Sequence, residues 1–187
     1  MKKFLTLLAT LAFLLLLSQI SYAQTGDAAG QLRHYEVGAH IFGMGGDKLG
    51  HGFGVGGRFT YNFNKYLGAE SELNSFLDDE GHHTGTEGLF GLKAGVRYKR
   101  IGVFAKARPG FITNLALNGD FETGYTKPAF DVGGVFEFYP TSHVALRVDV
   151  GDTIVPLDRD VVRAGFPDAA SGTTHNLQTS LGLQIRF

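Results

Sequence analysis

Residues 177–187, LQTSLGLQIRF, alternate without a break: Leu177, Thr179, Leu181, Leu183, Ile185 and Phe187 share one face, while Gln178, Ser180, Gly182, Gln184 and Arg186 share the other. Strand side chains repeat every two residues, so this segment is a β-strand dividing an apolar medium from a polar one. An aromatic final residue on the apolar face, and an export-type segment at the opposite end, point to lipid as that medium.

The opposite end reads as a signal peptide. Lys2 and Lys3 precede an apolar run from Phe4 to Leu17, and Ser21, Tyr22 and Ala23 supply the cleavage pattern. The run is too short for a membrane-spanning helix, which needs about 20 apolar residues. The expected division is a signal peptide over 1–23 and a single β-barrel domain over 24–187. Gln24 follows the cut, where a lipoprotein would need a cysteine.

A formal charge of −1 over 187 residues excludes nucleic acid as an obvious partner, and the absence of cysteine removes disulfides and thiol chemistry. With 27 Gly, 16 Phe and 7 Tyr, the composition favours strands, turns and aromatic belts.

The two-residue period marks seven further strands: 34–42, 52–64, 66–77, 88–99, 101–112, 129–139 and 144–155. In the second, Phe53, Val55, Phe59, Tyr61 and Phe63 oppose Arg58, Thr60 and Asn62. Ser71 and Ser75 interrupt the apolar parity of the third. Pro109 cannot donate to a ladder, so a bulge or local break is expected in the fifth. Tight links at Asn64-Lys65, Lys99-Arg100 and Pro140-Thr141-Ser142 alternate with four longer ones, around 43–50, 78–87, 113–128 and 156–174. Short periplasmic turns and longer extracellular loops are the pattern of an eight-stranded antiparallel up-and-down transmembrane β-barrel. Tyr35, Tyr61, Phe63, Tyr98, Phe138 and Phe187 are expected outward near the short turns, and Phe53, Phe90, Phe111 and Phe130 outward near the loops.

Charge supplies an independent test. The residues of inward parity include Glu36, Arg58, Glu70, Glu72, Lys93, Arg97, Lys106, Arg108, Asp131, Glu137, Arg147, Asp149 and Arg186. A barrel this narrow fills its lumen with side chains, and these signs are expected to pair there. Arg58 is expected opposite Glu70 or Glu72, and closure brings Arg186 toward Glu36. The tight turn at Lys99-Arg100 sets Lys93 opposite Lys106, a juxtaposition that needs neutralising.

The export signal, the eight alternating strands, the terminal LGLQIRF and the segment FEFYPTSHVALRVDVGDT (136–153) together resemble the small OmpA/OmpX-type outer-membrane β-barrels. The resemblance implies insertion among outer-membrane lipids of a Gram-negative bacterium. It also implies delivery by periplasmic chaperones and the barrel assembly machinery, with Phe187 in the assembly signal. The peptidoglycan-binding domain of larger relatives is not expected here.

Other motifs read as structure. His82 and His83 beside Asp78, Asp79 and Glu80 fit a solvated loop better than a metal site. The run GMGGDKLGHGFG (43–54) lacks the ending of a phosphate loop and is read as a flexible hairpin. Glu70 and Glu72 form a carboxylate pair only because both face the lumen. No cofactor, metal or catalytic residue is expected.

The leading functional expectation is a non-enzymatic barrel for envelope structure or surface interaction, with loops available to an extracellular ligand. A narrow solute pore, suggested by the positive strip on the fourth and fifth strands, is the alternative. A lipid-modifying enzyme is disfavoured because no outward histidine is expected beside Ser71 or Ser75 on a neighbouring strand. A secreted barrel with an apolar interior would alternate equally well, and the signal, aromatic belts and Phe187 argue against it.

Overall fold

In a computed structural model, the described residues are 32–46, 50–77, 80–113, 126–157 and 172–187. The expected signal peptide lies outside them. Eight strands follow in order: β1 (Tyr35–Gly46), β2 (Gly50–Asn62), β3 (Leu67–Leu77), β4 (His83–Tyr98), β5 (Ile101–Thr113), β6 (Thr126–Phe138), β7 (Val144–Leu157) and β8 (Gly172–Arg186). Each pairs antiparallel with its sequence neighbours, and β8 closes on β1 to complete the barrel. Closure satisfies the backbone donors and acceptors that an open edge would leave bare in hydrocarbon.

The barrel is apolar outside. Ile41 is 61% exposed, Phe90 64% and Leu181 54%, whereas Glu36, Lys93, Arg147 and Arg186 are completely buried. That distribution is the reverse of a soluble barrel with an apolar interior: the large apolar side chains face out and most of the charge faces in. Tyr35, Phe63, Tyr98, Phe138 and Phe187 are all exposed. At the β1–β8 seam, the Tyr35 ring stacks on Phe187 at 5.9 Å and meets Tyr61 at 5.3 Å.

The strands outrun the alternation. Gly43 pairs with Phe53 and Gly46 with Gly50, so only residues 47–49 separate β1 from β2. The expected flexible hairpin over 43–54 is mostly paired strand. Similarly β4 begins at His83, leaving residues 78–82 as the link from β3. Two of the four expected long loops are therefore short. Glycine has no side chain to register parity, while its backbone still joins the ladder. Residues 114–125 and 158–171 remain as the long links.

The opposite end carries the links Phe63–Tyr66, Lys99–Arg100 and Tyr139–His143. Lys99 adopts φ 52° in its two-residue turn, as hairpin turns that follow the strand twist require. Pro109 pairs in register with Phe130 on β6. On the β4 side, pairing stops after Leu89 and Gly110 and resumes in the same register at Leu92 and Ala107. Proline thus breaks the ladder locally without a bulge. The bulge lies instead between β3 and β4, where Phe76 pairs with Gly85 but Leu77 pairs with His83.

Close approach fixes one inward glycine. A Cβ on Gly95 would lie 2.1 Å from the Val103 carbonyl oxygen and 2.5 Å from Phe104 Cα. Gly95→Ala is expected to cost about 1–3 kcal/mol through overpacking; an unchanged urea midpoint in lipid vesicles would refute this.

Candidate functional site

The lumen gathers side chains from every strand into layers. At the short-link end sit Tyr139 and Ala145, both fully buried. Arg97 Nε donates to Tyr139 Oη at 2.7 Å, and the Arg186 guanidinium lies 4.3 Å from the Tyr139 ring centroid.

Above this floor the ionic side chains converge. The register sets Arg58 opposite Glu72 and Glu36 opposite Arg186. Arg186 Nε donates to Glu36 Oε1 at 3.1 Å, across the closing seam. Glu36 also accepts from Asn62 Nδ2 at 2.9 Å and lies 3.3 Å from Arg97. Arg147 spans the lumen, donating to Glu70 at 2.9 Å and to Asp149 at 2.9 and 2.8 Å. Arg108 donates to Glu72 at 2.6 Å and Asp131 at 2.8 Å. Arg58 reaches Glu72 through Nε at 2.6 Å and Asp149 at 3.2 Å. Charge-assisted bonds of this density are the strong class, because little water competes for the same atoms.

Lys93 and Lys106 do stand opposite each other. Their ammonium groups diverge. Lys93 Nζ lies 2.6 Å from Glu137, 3.4 Å from Glu36 and 3.4 Å from Glu70. Lys106 Nζ lies 3.1 Å from Asp131 and 3.4 Å from Asp149. Phe104 fits beneath, its ring centroid 5.0 Å from Lys93 Nζ and 4.9 Å from the Arg97 guanidinium carbon. Each of the thirteen charged residues expected in the lumen has an ion pair with a partner on another strand; Glu137 pairs with Lys93 on β4 and with Arg147 at 3.5 Å, and Arg97 with Glu36 on β1.

One lumen carboxylate escapes the sequence reading. Glu87 is fully buried and accepts from Asn74 Nδ2 at 2.7 Å and Gln178 Nε2 at 2.8 Å. In the sequence it falls in the link before the strand expected from Gly88, although Gly85 and Glu87 continue the inward parity. Around it lies an amide and imidazole layer: His40 Nε2 is 2.8 Å from Asn74 Oδ1, and Thr153 Oγ1 donates to Gln178 at 2.7 Å. Toward the long-link end, Met44, Ile112, Ala129 and Val155 form an apolar layer with Phe76 packed against it.

Outside the lumen, the expectation about histidine fails. His83 faces outward on β4, and its Nδ1 lies 2.8 Å from Ser75 Oγ on β3. By parity His83 falls in a loop; the bulge places it on the outer face. His82 pairs with Glu80 at 3.6 Å in the open, while Asp78 and Asp79 lie outside the described residues. No cluster of three metal-ligating side chains occurs among the described residues. Asp152, on apolar parity, is held by His175 at 2.5 Å.

No curated protein matches the chain. Among solved structures, the N-terminal β-barrel domain of OprF from Pseudomonas aeruginosa aligns with a TM-score of 0.57 and 14% identity, covering 84% of this chain and 100% of that one. OprG from the same organism gives 0.55 and 12%, covering 85% and 98%. Neisserial surface protein A gives 0.52 and 16%, covering 82% and 97%. At these identities the likeness is one of fold. The family described as "Outer membrane protein beta-barrel domain" matches residues 9–187. The chain belongs to that family and is an integral barrel of the Gram-negative outer membrane.

Proposed function

We propose that this protein is a non-enzymatic outer-membrane barrel whose plugged lumen stiffens a platform for its extracellular links, which serve envelope structure or contact with an extracellular ligand. The observation that carries the reading is the lumen itself. Its cations are matched by carboxylates within hydrogen-bonding distance, and Met44, Ile112, Ala129 and Val155 lie across the loop-side end. Paired charges and an apolar layer among the described residues favour a closed lumen over a solute path. The pore alternative depended on Lys93 and Lys106 being uncompensated, and each has carboxylates within 3.4 Å.

Export by the segment 1–23 and delivery by periplasmic chaperones to the assembly machinery belong to the same reading. Phe187 is its recognition residue: exposed, stacked on Tyr35 and bonded to it through the backbone at 2.9 and 3.0 Å. Planar-bilayer recording tests the plug. The purified full chain is expected to give no stable single-channel steps; reproducible steps abolished by Lys93→Glu would establish the pore instead.

A further inference from the structure

The bulge between β3 and β4 makes Thr84 the extra residue. Without it, the parity of Gly85 and Glu87 would send His83 into the lumen. With it, His83 stands on the outer face, Nδ1 2.8 Å from Ser75 Oγ and Nε2 3.4 Å from Thr86 Oγ1. Bulges characteristically re-aim a side chain in this way. Three polar groups are thereby collected at the loop-side ends of two neighbouring strands, on a surface otherwise built to meet hydrocarbon.

They border a groove of about 1040 Å³ on the same face, lined by Ala39, Ile41, Val55, Leu73, Leu181 and Leu183. Gly57 is its floor: a Cβ there would approach only the Gly38 carbonyl oxygen, at 4.0 Å. We propose that this groove is a specific lipid site that holds an ester-linked acyl chain of an outer-leaflet lipid, with the Ser75–His83–Thr86 cluster donating a hydrogen bond to the ester group.

The membrane placement of the barrel, on which this rests, decides the occupant. A groove on this face is filled by acyl chains, and polar side chains facing hydrocarbon are costly unless they find partners. Ser75, His83 and Thr86 hold three donor protons and the contacts between them use two, so an ester supplies an acceptor for the one left over, at the depth where the chain begins. The Ser75–His83 pair also has the composition of a nucleophile and its base. Among the described residues, however, no carboxylate bonds His83; its other nitrogen faces Thr86. The described residues supply no third member to orient such a base, and binding is the chemistry assigned.

The full chain is reconstituted in vesicles containing a phosphatidylethanolamine with an ester-linked, diazirine-bearing acyl chain, or its ether-linked analogue. Photolabel is expected to concentrate on the segments around Val55–Gly57 and Leu181–Leu183. Gly57→Leu, which fills open space and should retain the heat-dependent gel shift of the folded barrel, is expected to cut that labelling at least about five-fold. Ser75→Ala and His83→Ala are expected to reduce the preference for ester over ether by about five-fold, the size of one net hydrogen bond. Label spread evenly over the outer face and indifferent to Gly57→Leu would overturn the site. Release of free fatty acid that is lost in Ser75→Ala would overturn binding in favour of catalysis. Bilayer conductance is read in parallel, so failure of the plugged-lumen reading is seen separately.

Discussion

Arg147→Met is expected to destabilise the barrel by about 3–5 kcal/mol, the penalty for breaking a buried ion pair and leaving charge uncompensated. Arg147 bonds Glu70 and Asp149 and lies 3.5 Å from Glu137, so its loss takes a partner from carboxylates on three strands at once. Asp149 keeps Arg58 at 3.2 Å and Lys106 at 3.4 Å. Glu70 is hit hardest, retaining Thr60 at 3.2 Å and Lys93 at 3.4 Å. Methionine preserves much of the volume, which separates electrostatics from cavity formation. Adding Glu70→Leu is expected to recover a substantial part of the loss, because an apolar pair of similar volume can replace a buried ionic one. Urea unfolding from lipid vesicles reads both variants. A cost under about 1 kcal/mol would mean that the lumen is hydrated like a protein surface.

Glu36→Gln is expected to cost about as much, roughly 3–5 kcal/mol, but with a local signature. Glu36 is the carboxylate of β1 that meets Arg186 of β8 at 3.1 Å, and it also serves Lys93 and Arg97 at 3.4 and 3.3 Å. Neutralising it loosens the closing seam in particular. Hydrogen exchange should therefore accelerate most at the Tyr35 and Phe187 amides, which bond each other's carbonyls across that seam at 3.0 and 2.9 Å. With Arg186→Met the two effects are expected to couple by about 0.5–3 kcal/mol, as for residues in direct contact. Additive costs, or exchange accelerated evenly around the barrel, would remove Glu36 from the closing role.

Both positions are legible in the sequence because parity is a local property. Along a strand, the side chain two residues away has no choice but to share a face, so Glu36, Glu70, Arg147 and Arg186 were legible as lumen residues from alternation alone. Register was legible where tight turns pinned it, as at Lys99-Arg100, which sets Lys93 against Lys106. Parity fades where glycine removes the side chain that would report it. That is why 43–54 and 83–87, with Glu87 among them, read as loops in the sequence. It also fails at bulges, since one extra residue inverts every later assignment. His83 is the example: nothing local announces that Leu77 will pair with it after Phe76 has paired with Gly85.

The sequence by itself determined that the side chains of this barrel divide between an apolar and a polar medium, because a two-residue period does so whatever the strands later do; the aromatic belts and Phe187 pointed to lipid as the apolar one. Tertiary structure alone decided which charge meets which. Lys93 reaches Glu137, 44 residues away, and Arg147 reaches Glu70, 77 residues away. Those contacts cross the lumen between strands that are not neighbours, and their geometry depends on closure, strand stagger and the size of Phe104 and Tyr139 beneath them. The same holds on the outer face, where a single bulge joins Ser75, His83 and Thr86.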